Sequence, residues 1–343
     1  MYQLWHKYDH VLTVEKGSIT VFREDLLPFD LRHYAQITFE QWLEFLKKRV
    51  STLHRTYMNQ LYKQRRLGRG HVEVINDSGA ISPVDLFWIT ASHLNHTWDS
   101  LQIMRDSRME TAKVSLEGIL DKESYFKDKV DHISILTTKG AFPKAVYKGH
   151  ILKKGDNAEY EVSAYKIGYK LGFDVAIAEE YKNGAVACTL FTNENVSMTH
   201  ALEFLYPYEI ETYQFIYEDA IKKFSNNPSI LAQLQRLFAF NYLMSNFDFH
   251  GENFGFLYNP TTFEIIAVAP AFDFNSAFDV YGDPTAYDPY IMSVLPTFVA
   301  NNPDIIEKLK DIKEVLAQEV YLNDEQKTEI ISRAEYLINL HKN

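Results

Sequence analysis

From Thr38 onward apolar residues recur at helical spacing: Phe39, Trp42, Leu43, Leu46, Val50, Leu53, Tyr57 and Leu61 fall on one face, and Thr38 with Gln41 has the form of a capping box. The pattern predicts a helix to about Leu61, ended by Gly68 and Gly70. Ahead of it the chain reads as short strands and turns, with Ser18 to Phe22 the best strand. Ser82-Pro83, a cap followed by a first-turn proline, predicts a helix through Trp88, and another follows from Thr97 to Met104. Phe87, Trp88 and Trp98 read as core. The charged stretch Asp121 to Asp131 is the best boundary, because strands dominate after it.

Beyond that boundary His132 to Thr138 reads as a strand, and two more surround the Lys148-Gly149 turn. Ala158 to Gly172 reads as a helix with a terminal glycine, followed by strands Val175 to Ala178 and Ala185 to Leu190 about Asn183-Gly184. Helices are expected at about Thr199 to Phe224 and at 229 to 245, the latter buried and opened by Pro228. Two short strands, Phe254 to Tyr258 and Phe263 to Ala269, come next, then irregular chain around Gly282-Asp283-Pro284. Two amphipathic helices finish the chain, one from Asn302-Pro303 to about Val320 and one capped by Asn323 and running to about His341; their alternating charge is that of exposed helices.

Composition adds bounds to this picture. The chain has 343 residues, 46% of them hydrophobic and 14% aromatic, enough for a large core and for two domains or lobes. No run of 18 apolar residues occurs, and Met1 to His10 lacks the build of a signal peptide, so a cytoplasmic protein with no membrane contact is expected. Cys188 is the only cysteine, which excludes intramolecular disulfides and thiolate zinc clusters. A net charge of −11 argues against general nucleic-acid binding. One segment differs: Lys47, Lys48, Arg49, Arg55, Lys63, Arg65, Arg66 and Arg69 occur with no acid among them. It is either a solvated helix face balanced by acids elsewhere or a patch for an anionic partner.

The chemistry concentrates between Asn246 and Asn275, where a buried helix is followed by a polar loop carrying Asp248, His250 and Asn253, then a hairpin, then Asp273. Phosphoryl transfer needs a carboxylate to orient the attacking hydroxyl and oxygen ligands to hold Mg²⁺ on the phosphates. Asp248 suits the first role, and Asn253 with Asp273 the second, since Mg²⁺ takes few protein oxygens and completes its shell with phosphate and water. His250 would brace the loop. The plainer alternative makes Asp248 and Asn253 turn residues only. Upstream, the glycine-bearing turn Lys139 to Lys144 between strands is a weaker sign of a phosphate cradle, the plainer reading being a hairpin with surface lysines.

The stretches DFHGEN and APAFDFN resemble the HipA-like kinases, a branch of the protein-kinase-like fold that is similar to phosphatidylinositol kinases at these motifs. The resemblance implies an α+β, two-lobed kinase-like domain at 129–343, with an N-lobe at 129–195 and a mostly helical C-lobe at 196–343. A smaller, mostly helical accessory domain at 1–128 would precede it. It makes Asp248 the catalytic base and Asn253 and Asp273 the magnesium ligands. Thr137, Gly140 and Lys144 match the family's phosphate loop, with threonine at the self-modified serine. It further implies a phosphate-binding strand lysine at Lys153 (or Lys154), a pairing acid at Glu161 (or Glu159), and adenine contacts around Thr189 and Phe191. ATP and Mg²⁺ would be the cofactors and a protein serine or threonine the acceptor. Relatives pair with a helix-turn-helix antitoxin and act on a translation factor such as an aminoacyl-tRNA synthetase. Asn275 departs from kinases that carry DFG. A lipid or small-molecule kinase and a pseudokinase are the rival readings.

Overall fold

The computed structural model describes residues 1–49, 75–76, 78–103, 143–206 and 215–342. They form two compact units, the first made of Met1–Gly155, Thr192–Thr199 and Tyr258–Glu264, the second of Asp156–Phe191, His200–Leu257 and Ile265–Asn343.

The first unit is built on an antiparallel sheet of β1 (Tyr2–His6), β2 (Asp9–Glu15), β3 (Ser18–Val21) and β4 (Phe87–Ala91), in the order β3-β2-β1-β4. Leu4 lies opposite Leu12 on one side and Ile89 on the other, and all three are buried. A register shift at Leu4/Trp5 accompanies a stack in which the Trp5 ring sits 4.7 Å from His10 and 5.5 Å from Trp88. The capping box of the helix Phe39–Lys48 is present, with Thr38 accepting from Gln41 and Gln41 from Thr38. Its continuation toward Leu61, with Gly68 and Gly70, lies outside the described residues.

The segment after Ser82-Pro83 is a strand and not the expected helix. Ser82 Oγ accepts from the Val84 N–H and Asp85 Oδ1 from the Phe87 N–H, so both side chains hold tight turns where the sequence suggests a helix cap. The run Phe87–Ala91 is buried at every position, as a β-branched and aromatic strand covered on both faces should be. The leading part of the chain is therefore organised around a sheet among the described residues, with helices packed on it. Arg49 closes this arrangement: its guanidinium binds both oxygens of Asp85 at 2.7 and 3.0 Å and the carbonyls of Ala80 and Phe87. The hairpin Lys144–Tyr147/His150–Lys153 turns at Lys148 and Gly149, both at positive φ as a two-residue hairpin loop requires.

In the second unit the helix Tyr160–Leu171 ends at Gly172, whose φ of +85° lets Phe173 N–H return to the Gly168 carbonyl. Val175 makes only an isolated parallel bridge to Ala271, and the strand proper is Ala178–Tyr181, paired with Ala185–Thr189. Of the span expected as one helix from Thr199 to Phe224, the described residues hold the end of the strand Ser197–His200, which begins in the first unit, and the short helices Ala201–Leu205 and Ile216–Lys223, while residues 207–214 lie outside the described residues. Helix Pro228–Leu243 is the centre of the core: Asn227 caps it by accepting from Ile230 N–H, Pro228 occupies its first turn, and Leu234, Phe238, Phe240 and Tyr242 are all buried.

Helix Pro289–Asn301 is not among the elements the sequence pattern predicts, although Asp288 before Pro289 is a cap-and-proline start. The segment from Pro303 divides into Pro303–Leu309 and Ile312–Ala317, so one long helix to Val320 is not formed. Helix Asp324–Lys342 starts at the expected Asn323–Gln326 cap. It is less exposed than its charge pattern suggests, because Glu329 and Arg333 are buried as an ion pair at 2.8 Å. Among the described residues, no helix is long and apolar enough to cross a membrane.

Candidate functional site

The Pro228–Leu243 helix delivers the chain into the polar loop through two asparagines. Asn246 is fully buried, its side-chain N–H donating to Asn241 Oδ1 at 2.8 Å and its backbone N–H to the Asn241 carbonyl. Tyr287 donates to the Asn246 carbonyl at 2.6 Å, and Ser245 takes a positive φ of 49° to start the turn. Sequence reasoning gives none of these three a role; a buried asparagine at a helix end leaves no periodic signal.

Within the loop, apolar and polar positions alternate in exposure. Phe249 is buried, stacked 5.3 Å from Tyr217, whose hydroxyl donates to the Phe249 carbonyl. That anchor turns its neighbours outward, leaving the side chains of Asp248 and His250 55% and 47% exposed. Asn253 is buried and ties the loop shut: its Nδ2 donates to the Asp248 carbonyl at 2.7 Å and its N–H to the His250 carbonyl at 2.8 Å. With the amide N–H committed in this way, Oδ1 is the face Asn253 has to offer a cation. His250 Nδ1 accepts from Glu252 N–H, so the ring proton belongs on Nε2, which points at Asp248 Oδ1 from 3.9 Å. That is electrostatic range and not a hydrogen bond. Gly251 is dictated by space, since a Cβ there would lie 2.1 Å from Ile216 Cδ1 and 3.2 Å from Leu202 Cβ.

Asp273 follows the bridge at Ala271, whose N–H donates to the Asp174 carbonyl, and precedes Phe274, which is fully buried. Its φ is +68°, a left-handed conformation that costs a non-glycine residue about 1–3 kcal/mol and survives where the surroundings enforce it, as functional sites do. The following segment returns to the end of the long helix, with Phe278 N–H donating to the Met244 carbonyl and Ser245 Oγ to the Asp279 carbonyl. The loop of Asp248 and the segment of Asp273 thus hang from the same helix terminus. Burial and the negative charge of Asp248 both push the Asp279 carboxyl above its usual range.

The other residues singled out from sequence are distributed as follows. Glu161 is buried in the first turn of its helix while Glu159 is only partly so. The ring of Phe191 lies 5.9 Å from that of Phe272, the neighbour of Asp273, and Thr189 N–H donates to the Ile177 carbonyl. In the first unit Lys144 and Lys153 are direct cross-strand partners and both are buried, whereas Lys154 is partly exposed. Thr137 and Gly140 lie outside the described residues. Of the basic stretch, Lys47 pairs with Glu44, Lys48 with Asp30 at 3.1 Å, and Arg49 is the buried partner of Asp85. Arg55 to Arg69 lie outside the described residues.

The fold is that of a mixed α+β, kinase-like protein. It is similar over its whole length to HipA of Shewanella oneidensis MR-1, solved with HipB and operator DNA, with a TM-score of 0.64 and 13% identity covering 100% of each chain. A Helicobacter pylori proinflammatory kinase, CtkA, aligns over 59% of this chain and 93% of its own at 19% identity, with a TM-score of 0.38. Among curated proteins no sequence matches. Residues 114–335 match the HipA-like C-terminal domain, and the chain belongs to that family.

Proposed function

We propose that the chain is an ATP- and Mg²⁺-dependent kinase that phosphorylates a serine or threonine hydroxyl of a protein. The observation that carries this reading is the loop geometry: Asn253 clamps the Asp248 carbonyl while the Asp248 carboxylate stands open to solvent. Asp248 orients the acceptor hydroxyl and takes its proton as the hydroxyl oxygen bonds to phosphorus and ADP departs. Asn253 and Asp273 would supply the protein oxygens for Mg²⁺, a hard donor set of the right kind. When bound, the cation would neutralise phosphate charge. The cross-strand lysines Lys144 and Lys153 bring two ammonium groups to one hairpin, positive charge of the kind that phosphate oxygens take up. Of the two candidate acids Glu161 is the one proposed, supported by its burial.

The same reading assigns residues 129–343 to the kinase domain and 1–128 to an accessory domain, with adenine held near Thr189 and Phe191 and Thr137 as a site of autophosphorylation. The HipA structure that this chain resembles was solved with HipB and operator DNA, and an antitoxin partner is proposed here on that likeness. A cytoplasmic setting and a translation factor as substrate go with it. Incubation with labelled ATP and Mg²⁺ tests the reading: label on protein supports it, label on lipid replaces it with a lipid kinase, and no label makes the chain a binding module.

A further inference from the structure

Large apolar groups stand exposed beside Asp248: Phe247 is 37%, Val280 48% and Tyr281 57% accessible. The rings of Phe247 and Tyr281 pack 4.1 Å apart. The platform is held from behind, with the Tyr287 ring 5.0 Å from Phe247 and the Arg333 guanidinium 5.5 Å from it. The turn bearing Val280 and Tyr281 is fastened at every step. Ser245 Oγ donates to the Asp279 carbonyl at 2.7 Å, Glu329 Oε2 accepts from Gly282 N–H at 2.8 Å, and the Tyr242 hydroxyl donates to the Pro284 carbonyl at 2.7 Å. A surface so fastened is an apolar patch built to be covered. Its surroundings are acidic, with Asp279, whose carboxyl is raised by burial and by the nearby charge of Asp248, and Asp283 at the next corner of the turn.

We propose that this platform receives the residue of the polypeptide substrate that neighbours its acceptor hydroxyl, an apolar or aromatic side chain accompanied by lysine or arginine. The proposal rests on the phosphotransferase reading and names its substrate class. Placement follows from the chain itself, because Phe247 directly precedes Asp248, so a group seated on the ring brings its neighbouring residue to the carboxylate. Charge decides between a peptide and a membrane. An anionic lipid surface would meet Asp248, Asp279 and Asp283 and be repelled, whereas a basic, apolar peptide satisfies the ring face and the carboxylates together.

Fluorescence anisotropy with synthetic peptides tests it, using a serine flanked by phenylalanine and arginine and matched peptides in which aspartate replaces phenylalanine or glutamate replaces arginine. The first peptide should bind best, and Tyr281→Ala combined with Val280→Ser should weaken it about tenfold, as loss of an aromatic anchor does. Tyr281→Lys should weaken it further by repelling the arginine. Tyr169→Ala, at a tyrosine 73% exposed on the Tyr160–Leu171 helix, should bind as wild type. Equal affinity for all three peptides, or unchanged binding in both Tyr281 variants, overturns the proposal. So does pelleting with phosphatidylcholine–phosphatidylserine vesicles that is lost in the Tyr281 variants, which makes the platform a lipid contact. Labelled ATP in parallel separates the two claims: phosphate transfer without peptide preference sinks the platform alone, and selective peptide binding without transfer sinks the kinase reading and with it the platform's role beside an acceptor hydroxyl.

Discussion

Arg333→Met removes one partner of an ion pair that the fold has taken out of water. The Arg333 side chain is fully buried and Glu329 is 2% exposed, with Nε to Oε1 at 2.8 Å. The guanidinium also lies 4.9 to 5.5 Å from the rings of Tyr242, Phe247 and Tyr287. Its contacts to the Tyr242 and Ala286 carbonyls, at 3.4 and 3.3 Å, are too long to add much. The dominant effect is a buried carboxylate left without its counter-charge, about 3–5 kcal/mol, or roughly 6–20 °C in the melting of a unit this size. Glu329→Gln in the same chain removes the stranded charge while keeping an oxygen for Gly282 N–H, and should recover at least about 1 kcal/mol. Melts followed by circular dichroism, with urea titration for the free energies, measure both. A single variant that melts within about 1–2 °C of wild type, or a double variant less stable than the single one, refutes the reasoning.

Gly251→Ala should lower turnover by displacing the loop, since its Cβ would lie 2.1 Å from Ile216 Cδ1; wild-type activity in that variant would mean the loop gives way freely. Asn227→Ala should cost about 1 kcal/mol by uncapping the Pro228–Leu243 helix, read from the urea midpoint. His6 lies buried against Phe87 and Phe263, and burial pushes its imidazole down to about 4. The unfolded chain takes up that proton from about pH 6.5 downward while the folded chain does not. Stability therefore falls on acidification from there to about pH 4, by up to about 3 kcal/mol, and His6→Phe should flatten that stretch of the pH–stability curve. An unchanged acid slope in that variant would contradict the assignment.

What the sequence makes legible follows from how local each cause is. The Thr38–Gln41 and Asn323–Gln326 caps, Gly172 at a helix end and Pro228 at a helix start are decided within four residues, and all four are as expected. Ser82-Pro83 misleads because a serine hydroxyl serves a turn as readily as a helix cap, and Phe87–Ala91 becomes a strand through its pairing with Tyr2–His6, more than eighty residues earlier. Helix Pro289–Asn301 buries a regular stripe of Ile291, Val294, Leu295, Phe298 and Val299, but its exposed face carries Ser293, Pro296, Thr297 and Ala300 and no charge, and an internal proline reads as a helix breaker. In the candidate site, Asp248, Asn253 and Asp273 are legible because chemistry restricts their identities. Their supports are not: Tyr217, Tyr287 and the Glu329–Arg333 pair come from distant positions in the chain, and in sequence Arg333 is one more charge on an alternating helix.

The most direct test of the central claim is transfer of labelled phosphate from ATP by Asp248→Ala beside the wild type, with Mg·ATP affinity and melting temperature measured on the same samples. Asp248 is exposed and fills no core, so the account predicts transfer abolished, with fold and nucleotide binding retained. Near-normal transfer by Asp248→Ala would contradict it.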